Sequence, residues 1–247
     1  MATSASPAGG QAKRPKTPFA ADNRFYGRLA VALALLTFFA FAQFSLRGLT
    51  DMTAMPAITH LHAVIMAGWV GLYVVQGWLA ATGQLSWHRP LGWAGAALAA
   101  LAVATGFAVG TVTLSLGRVP PFFDPAYFLA LTYCQSLTFG VLVALAIANR
   151  KRTDWHRRLM LVVMIVLLEP VLGRLLPLPL MGTWFVWPQL AAQLLVLAFA
   201  MRHDGKVLGE VHPALTLGGA ALIANFATIQ LLHRFGPFRD YALGLTS

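Results

Sequence analysis

Acidic side chains are scarce in this sequence. Its 247 residues hold eight Asp and Glu against 18 Lys and Arg, and charged residues of every kind make up only 11%. A soluble domain carries roughly 25%, so the chain lacks the charge to cover a water-facing surface. Cysteine is scarcer still: Cys134 stands alone, which excludes an intramolecular disulfide. There is no Gly-rich phosphate loop and no HExxH zinc motif. No serine or cysteine is recognisably placed beside a base, as acyl transfer requires.

Hydrophobic residues fill that space, at 58% of the chain. They occur as long runs that are apolar all round, and runs of about 20 such residues read as transmembrane helices. Seven stretches are expected at 29–46, 60–82, 91–114, 126–148, 159–176, 184–200 and 213–232. The expected fold is therefore all-α, a polytopic transmembrane bundle of about seven helices spanning 24–235. Residues 1–23 are rich in Ala, Ser, Pro, Gly and basic residues and read as a disordered tail. There Lys13, Arg14 and Lys16 can rest on anionic lipid headgroups. Residues 236–247 read as a short outer tail. Ala40-Phe41-Ala42 imitates a signal-peptide cleavage site, but the 28 residues ahead of the first run are long for such a signal, so the run is expected to stay as a span.

The formal charge of +10 does not point to nucleic acid, because the basic residues cluster at the ends of apolar runs. With the N-terminus in the cytoplasm, 13 Lys and Arg lie inside and five outside, which satisfies the positive-inside rule. In the third stretch Gly92, Gly95, Ala99, Ala102, Gly106 and Gly110 form a small-residue stripe. Such stripes let helix backbones approach closely, so this helix is expected at the centre of the bundle.

Three of the seven histidines open odd-numbered stretches at the inner side: His88-Arg89-Pro90-Leu91, His156-Arg157-Arg158-Leu159 and His212-Pro213-Ala214-Leu215. The positive end of a helix disfavours imidazolium, and a neutral ring is what haem iron or another metal binds. His88 and His156 are the candidate pair for haem b, with His212 as a further ligand and Arg89, Arg157 and Arg158 as propionate partners. On the outer side His60 and His62 are candidate metal ligands, although residues two apart point about 200° apart on a helix. Against all of these stands the plain reading of interfacial His and Arg that bond headgroups and cap helices.

Glu169 is the single acidic residue inside a span. Counted from the start of the fifth stretch it falls near the bilayer midplane, where a carboxylate costs about 2.5–3.5 kcal/mol. Pro170 should kink the helix beside it and free a carbonyl. Arg174 is expected to snorkel outward rather than pair with Glu169. Gln76, on one face with His62 and Trp69, lies deep enough to need a hydrogen-bond partner. His203 and Asp204 read as a solvated loop pair.

Thr59-His60-Leu61-His62, the Trp69…Gln76…Leu79…Gly83 run, His88-Arg89-x-Leu91-Gly92 and Trp155-His156-Arg157-Arg158-Leu159-Met160 together resemble a bacterial family of uncharacterised multi-pass membrane proteins. The resemblance covers about 44–235 and implies a bacterial inner-membrane protein of about seven helices. A looser similarity exists to cytochrome b561-like electron carriers, which also place histidines at helix ends. The chain departs from their two-haem pattern, since its outer histidines share one helix.

Three readings follow from the sequence. One is a haem- or metal-binding redox protein using His88 and His156. Another is a proton-coupled transporter or small-ligand carrier built around Glu169. The third is a non-catalytic membrane scaffold.

Overall fold

The computed structural model describes residues 18–246, with side chains from Asp22 onward, and the described residues form helices without a strand. Four long helices come first: α1 (Pro18–Leu46), α2 (Ala57–Ala81), α3 (Leu85–Ser115) and α4 (Pro125–Ala148). The next crossing is split into α5 (Thr153–Val166) and α6 (Leu168–Leu175). A short turn, α7 (Leu178–Met181), and a 3-10 turn (Gly182–Phe185) lead into α8 (Val186–Val207). The chain ends with α9 (Pro213–Leu232) and the short α10 (Gly236–Gly244). Six helical segments among the described residues are long and apolar enough to cross a bilayer, and α5 with α6 supplies a seventh crossing in two pieces. The protein is a polytopic helical bundle.

The central helix is α5, not α3. Leu159 and every residue from Leu161 to Val166 are at most 1% exposed, because α1, α4, α8 and α9 surround them. The stripe on α3 serves the close approach expected of it, but toward two neighbours only. A side chain added at Gly95 would meet Leu72 of α2, and one at Gly106 or Gly110 would collide with Ser136 or Thr132 of α4. The central helix uses the same device through its partner: Gly218 of α9 lies so close to Val162 that a Cβ there has no room.

The split between α5 and α6 has a local cause. Pro170 has no N–H for the Val166 carbonyl, and its ring crowds that oxygen. The freed Val166 oxygen accepts from Gln135 Nε2 of α4 at 3.0 Å and from Gln193 Nε2 of α8 at 3.2 Å. Two amides from neighbouring helices thus repair one proline's defect.

Both ends of the chain differ from expectation. The part of the expected tail at residues 1–17 lies outside the described residues. Residues 18–23 belong to α1, with Asp22 only 4% exposed. Its composition suggested solvent, but an ion pair with a distant arginine recruits it into the bundle. The expected outer tail from 236 contains α10, which folds back on α4 with Ala242 buried and Arg239 3.7 Å from Asp124.

Candidate functional site

The α2–α3 hairpin closes through Thr82-Gly83-Gln84. Gly83 has a φ of 75°, which suits glycine, and the Gln84 N–H returns to the Leu79 carbonyl at 2.9 Å. This tight reversal lays the first turns of α3 against the last turns of α2. His88 Nδ1 then donates to the Gln76 carbonyl at 3.3 Å. The α4–α5 hairpin repeats the arrangement, with His156 Nδ1 donating to the Ala146 carbonyl at 2.8 Å. Ala146 lies in the last turn of α4, where carbonyls lack helical partners.

A carbonyl can only accept, so Nδ1 carries the proton in both rings. In the neutral imidazole this leaves each Nε2 with its lone pair, the tautomer that metal-ligating histidines adopt. The two rings, 68 positions apart in sequence, come together with centroids 6.5 Å apart and planes at 85°. Beside them Gln76 places both polar atoms of its side chain in buried positions without a partner, and its amide lies next to Gly92, one helical turn beyond His88. Among the described residues no partner for the Gln76 side chain is present. Two imidazoles with free Nε2 atoms, and an orphaned amide beside them, are a donor set of the kind that can ligate a metal.

The remaining expected ligands fare differently. His212 is the N-cap of α9: its Nδ1 accepts from the Ala214 N–H at 3.1 Å, and its Nε2 donates to Asp154 at 3.0 Å. Both ring nitrogens are used, so it cannot be a ligand without losing these contacts. The His-Pro pair is a helix-start signal, with the cap followed by proline at the first helical position. Arg157 is engaged by Asn23 at 2.7 Å and Asp22 at 3.6 Å, and Arg158 is buried among carboxylates, so neither is left for propionates. Arg89 is exposed at the helix end beside His88. His62 Nδ1 lies 2.8 Å from the Thr105 hydroxyl, which itself donates to the Leu101 carbonyl. No group of three or more His, Cys, Asp or Glu able to hold a metal ion exists among the described residues, so His60 and His62 have no third ligand of these types.

Sequence reasoning missed the strongest polar cluster. Arg158, 1% exposed, donates Nε to Asp204 Oδ2 at 2.8 Å and Nη2 to Asp204 Oδ1 at 2.7 Å, with Asp22 at 3.2 Å. Tyr26 also donates to Asp204 at 3.2 Å, and His203 Nε2 lies 3.0 Å from Asp22 while its ring stacks on Phe25. Asp204, with no exposure, is the reverse of the solvated loop residue expected. The cluster ties α1, α5 and α8 together at the end bearing the basic residues. Its signal was the scarcity of acids itself, since in such a chain each carboxylate beside an apolar run needs a reason.

At the other end, α5 begins at Thr153 rather than 159, so Glu169 lies 16 residues in, about 24 Å along the helical path. It lies six residues from the end of α6, nearer that end than the start of α5. A cavity of about 20 Å³ lies there, lined by Glu169, Tyr127, Gln189, Gln193, Asn225 and Gln230 among others. Asn225 donates to Gln135 at 3.0 Å and accepts from Thr138 at 2.8 Å. Arg174 forms no ion pair with Glu169. It donates to the Pro170 carbonyl at 2.8 Å and stacks over Phe41, 3.8 Å from the ring centre.

Fold and site together define a multi-pass helical membrane protein with two neighbouring imidazoles at one end of the bundle and a polar cavity toward the other. No protein-family model, no curated protein and no solved structure matches the chain.

Proposed function

We propose that this protein is a haem b-binding membrane electron carrier, with His88 and His156 as the residues that would hold the haem iron. The observation that carries the reading is the pair itself. Each imidazole is tied through Nδ1 to a carbonyl of the preceding helix, which leaves Nε2 for a metal, and the ring centroids are 6.5 Å apart. The haem would supply one-electron chemistry. The protein holds the two nitrogens, fixes their tautomer and keeps one edge of the site in the membrane. Exposed Arg89 is available at the aqueous edge for a propionate. Gln76 supplies a buried amide beside the site.

The test is an absorption spectrum of detergent-purified protein expressed with haem supplementation. A Soret band is expected in the wild type. It should vanish in His88→Ala and His156→Ala and persist in His212→Ala, whose imidazole is a helix cap. Imidazole added to His88→Gly should restore it, which loss of a merely structural histidine would not produce. Folded wild-type protein without colour or iron would overturn the proposal.

A further inference from the structure

A carboxyl and a water-sized space meet at a place that the haem reading does not use. The 20 Å³ cavity between α4, α6, α8 and α9 exceeds the roughly 10–15 Å³ that one water needs. Its polar lining suits a water, which requires two to four hydrogen-bond partners. Gln230 Nε2, buried next to the Tyr127 hydroxyl, completes no well-formed hydrogen bond. The cavity has room for a water rather than for an organic molecule.

The direction of access follows from the helix ends. Tyr127 is two residues from the start of α4, Gln189 three from the start of α8, and Gln230 two from the end of α9. All three ends lie on the side predicted to be outer. Among titratable and charged groups, Arg174 on the same helix and Tyr127 on α4 face the Glu169 carboxyl. From α8 and α9 the amides of Gln189, Gln193, Asn225 and Gln230 line the same cavity, and from α4 the Gln135 side chain hydrogen-bonds the carboxyl. From α1, Gln43 reaches α6 through the Arg174 carbonyl at 2.8 Å, and α5 presents the apolar run ending at Val166.

We infer that Glu169 is a proton-exchanging site inside the membrane, coupled through a water in this cavity to the outer aqueous phase. In the exchange the Glu169 O–H bond breaks, the proton passes to the water, and a carboxylate remains. Amide dipoles around the cavity stabilise that carboxylate in place of bulk water. The return step re-forms the O–H bond. Neither step needs the His88–His156 site, so this inference stands or falls separately from the haem reading.

The chain has only two glutamates, which makes the test clean. Glu210 is exposed in the α8–α9 connection, and Glu210→Gln leaves Glu169 as the one glutamate. With ¹³C-carboxyl glutamate incorporated into that variant in lipid nanodiscs, infrared spectroscopy follows a single labelled carboxyl. The expected result is a protonated C=O band that converts to carboxylate bands as pH rises and shifts within minutes of transfer to ²H₂O. Gln230→Leu, which fills the cavity with an apolar side chain, should slow the ²H₂O shift at least tenfold while the protein stays folded. A labelled band that stays put across the pH range and does not exchange over hours would overturn the proposal, as would fast exchange unaffected by Gln230→Leu.

Discussion

Arg158 draws two of the chain's six aspartates onto a single buried guanidinium, and this is the residue on which the basic end of the bundle depends most. A buried pair of this kind adds little over a well-packed apolar substitute. Breaking one side of it strands a charge and costs about 3–5 kcal/mol. Asp204→Asn should therefore lower the unfolding midpoint in detergent sharply, on the scale of that loss. Arg158→Met combined with Asp204→Leu should regain most of it, because Asp22 keeps Arg157 and His203 as partners. Equal losses in the single and double variants, measured by thermal unfolding, would mean that packing rather than charge holds this end. The residue scale is also where the sequence was least legible. His88 and His156 could be paired by their shared Trp-His-Arg setting, since local pattern and helix parity set both at one depth. His203, Asp204 and Asp22 could not, because their partners are 46 to 181 positions away and nothing local marks a carboxylate as buried.

At the scale of elements, the spans were readable and their interruption only in part. A helix in lipid satisfies its own backbone, so long apolar runs announce themselves. The seventh stretch, 213–232, coincides with α9. The Pro170 defect was visible in sequence, but not its repair by Gln135 and Gln193, which needs α4 and α8 in place. Nor could composition choose the central helix: lipid is as apolar as a core, so a wrapped run and a lipid-facing run read alike. If Pro170 causes the break, Pro170→Ala should let α5 run into α6. In a Cys134→Ala background, spin labels at exposed Lys151 and Leu175 should move apart, toward the roughly 36 Å of a straight helix of that length. Distances from electron–electron double resonance check this. An unchanged distance would place the cause of the break in the two glutamines instead.

For the whole molecule, orientation decides which compartment each site meets, and the charge count that sets it survives the buried pairing. Arg157 and Arg158 are held against Asp22 and Asp204, and removing these two from the inner count still leaves 11 Lys and Arg against five. Orientation responds to basic residues in short connections near helix ends, with acids contributing little. The Asn149–Arg152 turn holds three such residues in four positions. On that argument a cysteine at Lys151 should react with a membrane-impermeant maleimide only after cells are permeabilised. A cysteine at exposed Asp240, in α10, should react in intact cells. Cys134 is buried and should give no background. The reverse labelling would put the His88–His156 pair at the external surface and turn the Glu169 cavity toward the cytoplasm.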